Sequence, residues 1–356
     1  MTSSLIGSCQ NCYLGFSNSN QIRYNSSSGG VVREILIYLF KKKSIQGALI
    51  VKSSHQNPFY FYSDIATTIG EIERMPGSVY APVDYAPGIK KILKNEGKYA
   101  IVGIPCQINS VRTLMERDKQ FREKIFLTIG LFCNGTPSIE GTKFFCDRYN
   151  IDKNKVKSIR YRSEGWPGSM KIETDNKTYA FSKRPSLKNI KLRTVASVAF
   201  SSFFYLEKCL SCFDKLNKLA DISTGDAWLP ELRGDRIGVN VIISRSKLAE
   251  DVLLKMKEEK IITLKKTPLS KIIDSQGGKK IKNRLFSERL ESNNTKADST
   301  AAGARETLRV KLLKRIRKMS FNKIWPLLIF LKFIQDYVIY SPAYIIKILK
   351  SKFVKN

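Results

Sequence analysis

Two cysteines follow apolar runs that are typical of neighbouring strands in one sheet, and this arrangement constrains the fold more than any other feature. Cys106 ends the run KYAIVGIPC, and Cys133 ends the run IFLTIGLFC. Between them, residues 107–124 space their apolar side chains as one face of a helix. Strand, helix and strand form a βαβ unit, whose strands lie parallel and are usually adjacent. We therefore expect both thiols at the carboxyl edge of one sheet, where open α/β sheets bind ligands.

A second cysteine pair has the spacing of a metal-binding loop. Cys209 and Cys212 stand in KCLSC, where two intervening residues let a short loop place both thiolates on one metal. With Cys106 and Cys133 they make four thiolates, and we predict these four cysteines as metal ligands. The chain has a single histidine, His55, which argues against a Cys/His zinc site and against histidine acid–base catalysis. An all-cysteine site suits Zn²⁺ or an iron–sulfur cluster, and ligand type alone does not separate them.

The amino-terminal segment predicts a cytoplasmic protein. The start, MTSSLIGSCQNC, has neither the charged region nor the apolar region of a secretory signal. Thiols stay reduced in the cytoplasm, and clustered cysteines there more often bind metal or carry out redox chemistry than form structural disulfides.

The formal net charge of +31 predicts an acidic partner. Nucleic acid, an anionic membrane and an acidic protein are the three classes that such a charge attracts. The basic residues are dispersed and no recognised nucleic-acid-binding module is present, so we predict no nucleic-acid partner.

The basic carboxy-terminal tail, residues 307–356, has two interpretations. Its apolar stretch Trp325–Ile346 is interrupted by Lys332 and Asp336, and Asp336 is the only acid of the tail. A membrane-spanning helix needs about 20 apolar residues without charge, so a span is not expected. The segment suits an amphipathic helix at the inner face of the membrane, with basic flanks on lipid phosphates. A helical hairpin packed on the protein's own core would show the same periodicity.

The remaining patterns predict an α/β (α+β) fold with a mixed sheet around the βαβ core. Residues 155–185 alternate as a β-hairpin insertion with Asp175 and Asn176 at the turn, and a helical extension forms the carboxyl terminus. We divide the chain into four parts: an amino-terminal half 1–95, a half with the cysteines 96–285, a polar linker 286–306 and the tail 307–356.

A serine- and glycine-rich loop is the second candidate site. Small residues precede a helix here, so free backbone N–H groups and the positive end of the helix dipole would face the loop, and serine hydroxyls would add donors. The loop could hold a phosphate or a flavin pyrophosphate, and a serine N-cap is the structural alternative. The residues concerned are Asn25, Ser26, Ser27, Ser28, Gly29 and Gly30.

Gly225 and Asp226 follow the CxxC in the segment ADISTGDAW. Glycine permits close approach of the backbone to a ligand, and the carboxylate could orient a donor or bind a cation. Turn and capping chemistry explains the same residues without a ligand.

The ordered set RYNSSSGG, GIPCQ, LFCNG, KCLSC and ADISTGDAW resembles the beta subunit of coenzyme F-420-reducing hydrogenase and its dehydrogenase relatives. The resemblance spans residues 9–290 and is carried by the order and spacing of the motifs. It implies an FAD-binding fold with a mixed sheet and a [4Fe–4S] cluster beside the flavin. It implies Cys106, Cys133, Cys209 and Cys212 as cluster ligands. The GxPCQ element also brings Pro105 and Gln107 to the cofactors, and the loop from Asn25 to Gly30 would contact the flavin within the amino-terminal half.

The chain departs from that family in two respects. Many members begin with a ferredoxin-like run of cysteines, whereas here only Cys9 and Cys12 remain, and two thiolates do not complete a [4Fe–4S] site. Relatives of this shape, with the same serine loop, occur in gene sets for surface polysaccharide synthesis. Coenzyme F-420 itself is thus a possible cofactor that the resemblance does not imply.

Two function classes follow from these patterns. The first is an iron–sulfur flavoprotein oxidoreductase that passes electrons between a hydride donor or acceptor and a one-electron carrier such as ferredoxin. The second is a zinc-stabilised binding module at the membrane surface, in which Cys9, Cys12, Cys209 and Cys212 form CxxC…CxxC. No catalytic residue is assigned under either. Cys146, on an expected helix, is interpreted as a core thiol.

Overall fold

The computed structural model describes residues 6–182 and 190–278. The strands in chain order are β1 (Asn11–Ser17), β2 (Gly47–Ser53), β3 (Phe61–Ala66), β4 (Val83–Asp84), β5 (Tyr99–Gly103), β6 (Ile125–Leu131), β7 (Val156–Ser163), β8 (Ser169–Thr174), β9 (Thr178–Ser182), β10 (Ile222–Asp226), β11 (Asn240–Ser244) and β12 (Ile262–Lys266). The helices are α1 (Asn20–Asn25), α2 (Val31–Lys41), α3 (Ile69–Arg74), α4 (Ala86–Lys94), α5 (Pro105–Arg117), α6 (Lys119–Lys124), α7 (Ile139–Arg148), α8 (Ile190–Ala199), α9 (Glu207–Leu210), α10 (Lys247–Glu258) and α11 (Leu269–Ser275). None of these helices is long and apolar enough to cross a membrane.

The larger sheet is mixed and has nine strands in the order β12-β1-β11-β10-β6-β5-β2-β3-β4. Strands β10, β6, β5 and β2 run parallel to one another, and β11 lies antiparallel between β10 and β1. Strand β1 therefore points the same way as β10. The strands β1, β10, β6, β5 and β2 all end at one side of the sheet, which we call the carboxyl edge.

Helices cover both faces of the sheet, which explains why its central strands are apolar throughout. All five residues of β5 are buried. Ala100 and Val102 join a cluster with α2 and α10, whereas Tyr99 and Ile101 join a cluster with α4, α5 and α6. A strand buried on both faces has to be apolar at successive positions rather than at alternate ones.

The predicted βαβ unit is present as β5-α5-α6-β6, with two differences in detail. The expected single helix is broken at Asp118, whose side chain accepts a hydrogen bond of 2.9 Å from the Phe121 N–H and so begins a new helix. Strand β5 ends at Gly103, so Cys106 lies in the first turn of α5 rather than at the end of the strand.

Residues 156–182 form a separate antiparallel sheet, β7-β8-β9. Strands β8 and β9 pair as a hairpin whose turn contains Asp175 and Asn176, and this confirms the predicted insertion. The mixed α/β fold is likewise confirmed. The predicted carboxy-terminal helical extension lies outside the described residues.

The chain separates into two compact units. The sheet unit contains, of the described residues, 6–134, 154–182 and 212–278, and it holds both sheets. The helical unit contains residues 135–153 and 190–211, with a core of aromatic pairs such as Phe144–Phe204 and Phe145–Phe200. The predicted division at residue 95 stays a prediction, and the linker 286–306 and the tail lie outside the described residues.

Candidate functional site at the carboxyl edge

The segment GIPCQ builds the turn between β5 and α5. Pro105 is the first residue of the helix, where its missing N–H has no intrahelical acceptor to lose. The side-chain Oε1 of Gln107 accepts a hydrogen bond of 2.9 Å from the Ile104 N–H. These two residues therefore set the start of the helix, and Cys106 between them is exposed at the carboxyl edge. Their contact with a cofactor stays a prediction.

Cys133 stands two residues beyond the end of the neighbouring strand β6. Its N–H donates to the Lys215 carbonyl over 3.1 Å. The buried side chain of Asn217 donates to the carbonyls of Gly103 and Leu131, over 2.9 and 3.2 Å, and so ties the ends of β5 and β6 together. The segment that follows the CxxC is thereby fixed across the ends of both strands.

The two cysteines of the CxxC belong to different units. Cys212, in the sheet unit, directs its Sγ to the Asp214 carbonyl at 3.7 Å. Cys209, in the helical unit, lies in the single turn α9, and its Sγ accepts a hydrogen bond of 3.4 Å from the Thr136 N–H. The two cysteines are three positions apart in the chain, so the distance between their Cα atoms is about 11 Å at most. All seven cysteines lie within the described residues, and none of them forms a disulfide there.

The cysteine quartet stays a prediction. Within residues 6–182 and 190–278, no group of three or more His, Cys, Asp or Glu side chains stands in a metal-binding arrangement. Cys146, by contrast, is fully buried in α7, and burial raises the pKa of its thiol to about 12. Such a thiol stays protonated at neutral pH.

The serine- and glycine-rich loop connects α1 to α2 at the same edge of the sheet. The hydroxyls of Ser26 and Ser28 donate to the carbonyls of Ile22 and Val239, over 2.7 and 2.9 Å. The Ser27 Oγ accepts from the Ser78 N–H over 2.7 Å. The hydroxyls thus hold the loop itself. The Val31 N–H donates to the Asn240 Oδ1 over 3.3 Å, which leaves the N–H groups of Val32 and Arg33 as the donors for an anion in the first turn of α2.

Two glycines let this loop lie close against the sheet. A Cβ on Gly29 would stand 2.8 Å from both the Asn240 nitrogen and the Gly15 carbonyl oxygen. Gly30 is the N-cap of α2 and has φ of 80°, in the left-handed region that favours glycine. The alternative of a serine N-cap at this helix is therefore wrong. Asn25 is exposed at the end of α1, and its carbonyl accepts from Arg33 over 2.7 Å.

Arg162, which the sequence patterns did not single out, connects the loop to Asp226. Its guanidinium is buried, lies 2.6 Å from the Asp226 carboxylate and also donates to the Ser27 carbonyl. Burial by itself would lower the pKa of Arg162, but the charges and hydrogen bonds of Asp226 and Tyr80 together outweigh burial and raise the pKa. Asp226 is thus an ion-pair partner at the end of β10, while Gly225 packs against the Phe132 ring.

Two tryptophans beside this ion pair were also missed. The rings of Trp166 and Trp228 lie with their centroids 4.7 Å apart, and the guanidinium of Arg162 lies 6.0 Å from the Trp228 ring. Trp228 is 50% exposed, whereas Trp166 is buried. The Trp166 Nε1 is a buried donor without a hydrogen-bond partner in the part of the chain that the structure describes. The turn residues Gly165, Pro167 and Gly168 around Trp166 were the available signal in the sequence.

Comparison with known protein families shows to which family the chain belongs. The profile for the amino-terminal domain of the "Coenzyme F420 hydrogenase/dehydrogenase, beta subunit" matches residues 12–90, and the profile for its carboxy-terminal domain matches residues 96–269. The chain belongs to this family. The resemblance seen in its motifs is thereby confirmed.

Individual members of the beta-subunit family are distant in sequence but span most of the chain. "Coenzyme F420 hydrogenase subunit beta" of Methanococcus voltae is 25% identical over 280 residues, which cover 77% of this chain and 88% of that protein. The protein of the same description from Methanosarcina barkeri is 23% identical over 293 residues, which cover 81% of this chain and 91% of that protein.

A solved structure of the F420-reducing [NiFe] hydrogenase complex from Methanosarcina barkeri contains a chain of similar fold. The TM-score is 0.59 at 19% identity, and the match covers 81% of this chain and 93% of that chain. At this identity the similarity supports the shared mixed α/β fold alone. The named relatives of the beta-subunit family are redox proteins by their descriptions.

Proposed function

We propose that this chain is an iron–sulfur flavoprotein oxidoreductase that passes electrons between a hydride donor or acceptor and a one-electron carrier. The observation that carries the proposal is the convergence, at one edge of the sheet, of the serine- and glycine-rich loop, the turn with Cys106, the end of β6 before Cys133, and Asp226. Membership of the beta-subunit family supports redox chemistry in general.

Cys106, Cys133, Cys209 and Cys212 are the proposed ligands of one [4Fe–4S] cluster. Four reduced thiols are the donor set that such a cluster takes, and none of the four is used in a disulfide. Cys106 in the first turn of α5 adds the positive end of a 13-residue helix, which favours negative charge on the thiolates. Asn217 serves this site by joining the strand ends that precede Cys106 and Cys133.

The flavin is proposed to lie against the loop from Asn25 to Gly30. The first turn of α2 supplies backbone N–H groups and a positive dipole for a pyrophosphate. The buried Trp166 Nε1 lacks an acceptor within the described residues and would gain one from a bound cofactor. Arg162 and Asp226 hold the loop to β10, so the buried ion pair fixes the position of the donors.

When bound, FAD exchanges a hydride and a [4Fe–4S] cluster exchanges single electrons, so the pair converts between the two kinds of carrier. The chain's own residues bind and orient these groups and set their electrostatic surroundings. The net charge of +31 favours an acidic one-electron carrier of the ferredoxin class. Coenzyme F-420 is one candidate hydride partner, since relatives are named for it. We also propose a role in surface polysaccharide synthesis.

Anaerobic purification of the full chain, with measurement of the visible spectrum and of iron, sulfide, zinc and flavin, tests the proposal. We expect about four iron atoms per chain, as a [4Fe–4S] cluster requires. Cys106→Ser, Cys133→Ser and Cys212→Ser should each lose iron, while Cys146→Ser, at a buried thiol in the helical unit, serves as the matched control. Protein that contains iron but binds no flavin after reconstitution with FAD would refute the proposed flavin site. Zinc in place of iron would favour the zinc-stabilised binding module.

A further inference from the structure

Cys9 and Cys12 form a dithiol that no part of the proposed electron-transfer site uses. Their Sγ atoms lie 3.5 Å apart, in contact. A disulfide bond is about 2.05 Å long, so closing it requires a movement of about 1.5 Å, within reach of side-chain rotation. The geometry of the reduced pair therefore permits closure to a disulfide.

The two thiols differ in accessibility. Cys9 is exposed in the loop before β1, whereas Cys12 is 5% exposed within β1, where it packs with the apolar cluster of Ile243 and Ile272. Burial, followed by the hydrogen bond and charge of Cys9, raises the pKa of Cys12 to about 12. An exposed sulfur in front of a buried one is the arrangement in which the first attacks and the second resolves.

A buried arginine holds the loop that carries Cys9. Arg245 is 4% exposed and donates to the carbonyls of Ile6 and Ser8, each over 2.6 Å. The Gln10 N–H donates to the Ser244 carbonyl over 2.8 Å, which fixes the other side of Cys9. The positive charge of Arg245 partly opposes the rise in the pKa of Cys12.

We propose that Cys9 and Cys12 are a redox-active pair that exchanges with a disulfide arriving from solvent. The Cys9 thiolate attacks one sulfur of that disulfide, forms a mixed disulfide and releases the other sulfur as a thiolate. The Cys12 thiol then loses its proton and attacks the Cys9 sulfur, which closes the internal bond and releases the second thiolate. Two electrons and two protons leave the pair, and the incoming disulfide ends as two thiols. The reverse sequence reduces the pair.

The test uses the full chain, purified anaerobically, reduced and freed of reductant. It is equilibrated with mixtures of oxidised and reduced glutathione, quenched in acid, alkylated and mapped by peptide mass spectrometry. We expect a Cys9–Cys12 disulfide whose fraction rises with the proportion of oxidised glutathione. A second arm uses an oxidised dithiol protein of the thioredoxin class, so faster exchange with one probe identifies the source of the disulfide.

Three variants separate the roles of the two thiols. Cys12→Ser should accumulate a glutathione adduct on Cys9, because the resolving thiol is gone. Cys9→Ser should form the adduct about tenfold more slowly or not at all, because the remaining thiol is buried. Cys146→Ser should behave as the parent chain.

Two outcomes would overturn the proposal. One is an adduct on Cys9 of the parent chain that never resolves to the internal disulfide. The other is zinc or iron on the pair, seen as metal lost from the double variant Cys9→Ser/Cys12→Ser. Equal iron and flavin contents in the double variant and the parent are expected, and they keep this test separate from that of the proposed function.

Discussion

Arg162 is the residue on which the geometry of the candidate site depends most directly. It is buried, and it joins three segments that are far apart in the chain: the loop at Ser27, the turn at Pro167 and the end of β10 at Asp226. A buried ion pair is a modest source of net stability, but removal of one partner leaves an uncompensated charge. The loss of stability expected on removing Arg162 therefore comes as much from the unpaired Asp226 carboxylate as from the missing guanidinium.

Arg162→Met should lower the free energy of unfolding by about 3–5 kcal/mol, because the Asp226 carboxylate, only 12% exposed, would lose its guanidinium partner. The matched control is Lys171→Met, which removes the partially exposed ion pair with Glu164 and should cost about 0–1 kcal/mol. Urea unfolding followed by circular dichroism measures both. The double variant Arg162→Met/Asp226→Asn should lose less than the sum of the single variants, and strict additivity would contradict the coupling.

At the scale of secondary-structure elements, helix starts determine where donors and thiols stand. Pro105 and Gln107 begin α5 and place Cys106 in its first turn, while Gly30 begins α2 and turns its N–H groups towards the loop. Thr68 begins α3, where Glu71 accepts from the Thr67 N–H and from Lys52. Each start rests on one or two residues, so single substitutions test it.

Gly30→Ala should cost about 1–2 kcal/mol, because an L side chain is strained at φ of 80°. Gly234→Ala is the matched control, since a Cβ there would have no atom within 4 Å and its φ lies outside the left-handed region. That change should be neutral or stabilise by about 0.4–1 kcal/mol. Thermal unfolding of the two variants under identical conditions compares them. An equal change in thermal stability in the two variants would contradict the importance of the left-handed conformation at Gly30.

The lowered pKa of Glu71 leads us to expect a specific dependence of the free energy of unfolding on pH. Its hydrogen bonds with Lys52 and with the Thr67 N–H lower the pKa of the carboxyl from 4.5 to about 2. A lowered pKa means that the contribution to stability is complete above the unfolded-state pKa and is lost as pH falls through the folded-state pKa.

Glu71→Gln should therefore be less stable than the parent at pH 7. The difference should shrink below pH 4.5 and vanish near pH 2. Glu123→Gln, which removes an ion pair of 3.9 Å between side chains that are 77% and 61% exposed, is the control and should change stability by about 0–1 kcal/mol. Denaturant titrations at a series of pH values measure the effect. A difference that grows towards low pH would contradict the assignment.

For the whole molecule, the net charge of +31 predicts an acidic binding partner. The tail 307–356 concentrates basic residues around the apolar stretch Trp325–Ile346 and lies outside the described residues. We propose that it docks the protein peripherally on the inner face of the membrane. Several basic residues at an anionic surface, each contributing about 1 kcal/mol, give reversible binding even before apolar insertion.

The full chain should co-sediment with anionic liposomes, and a chain ending at Arg305 should not. Binding should fall as salt is added, because screening weakens the charge attraction, while the apolar stretch should retain part of the binding. Liposomes of neutral lipid alone are the control for the electrostatic part. Equal sedimentation of the two chains would favour a tail packed on the protein's own core.

Local patterns in the sequence determined the βαβ unit, the β8–β9 hairpin and the position of Cys106 and Cys133 near strand ends. Each of these depends on a period, a turn residue or an apolar run within about 20 neighbouring residues. The glycine-rich start of α2 was visible for the same reason, since a residue's tolerance for positive φ is a property of the residue itself.

Only the tertiary structure decided which distant segments meet. Strand β1 pairs Asn11 with Ser244 and Tyr13 with Lys266. It therefore lies between β11 and β12, which come from the carboxyl end of the segment that matches the family. Arg162 is 64 residues from Asp226 in the chain, and no local pattern connects them. Such pairings are selected by the burial of complementary surfaces and by the entropy of closing long loops. These energies belong to the assembled core, so the residues that complete the site appear only once the chain has folded.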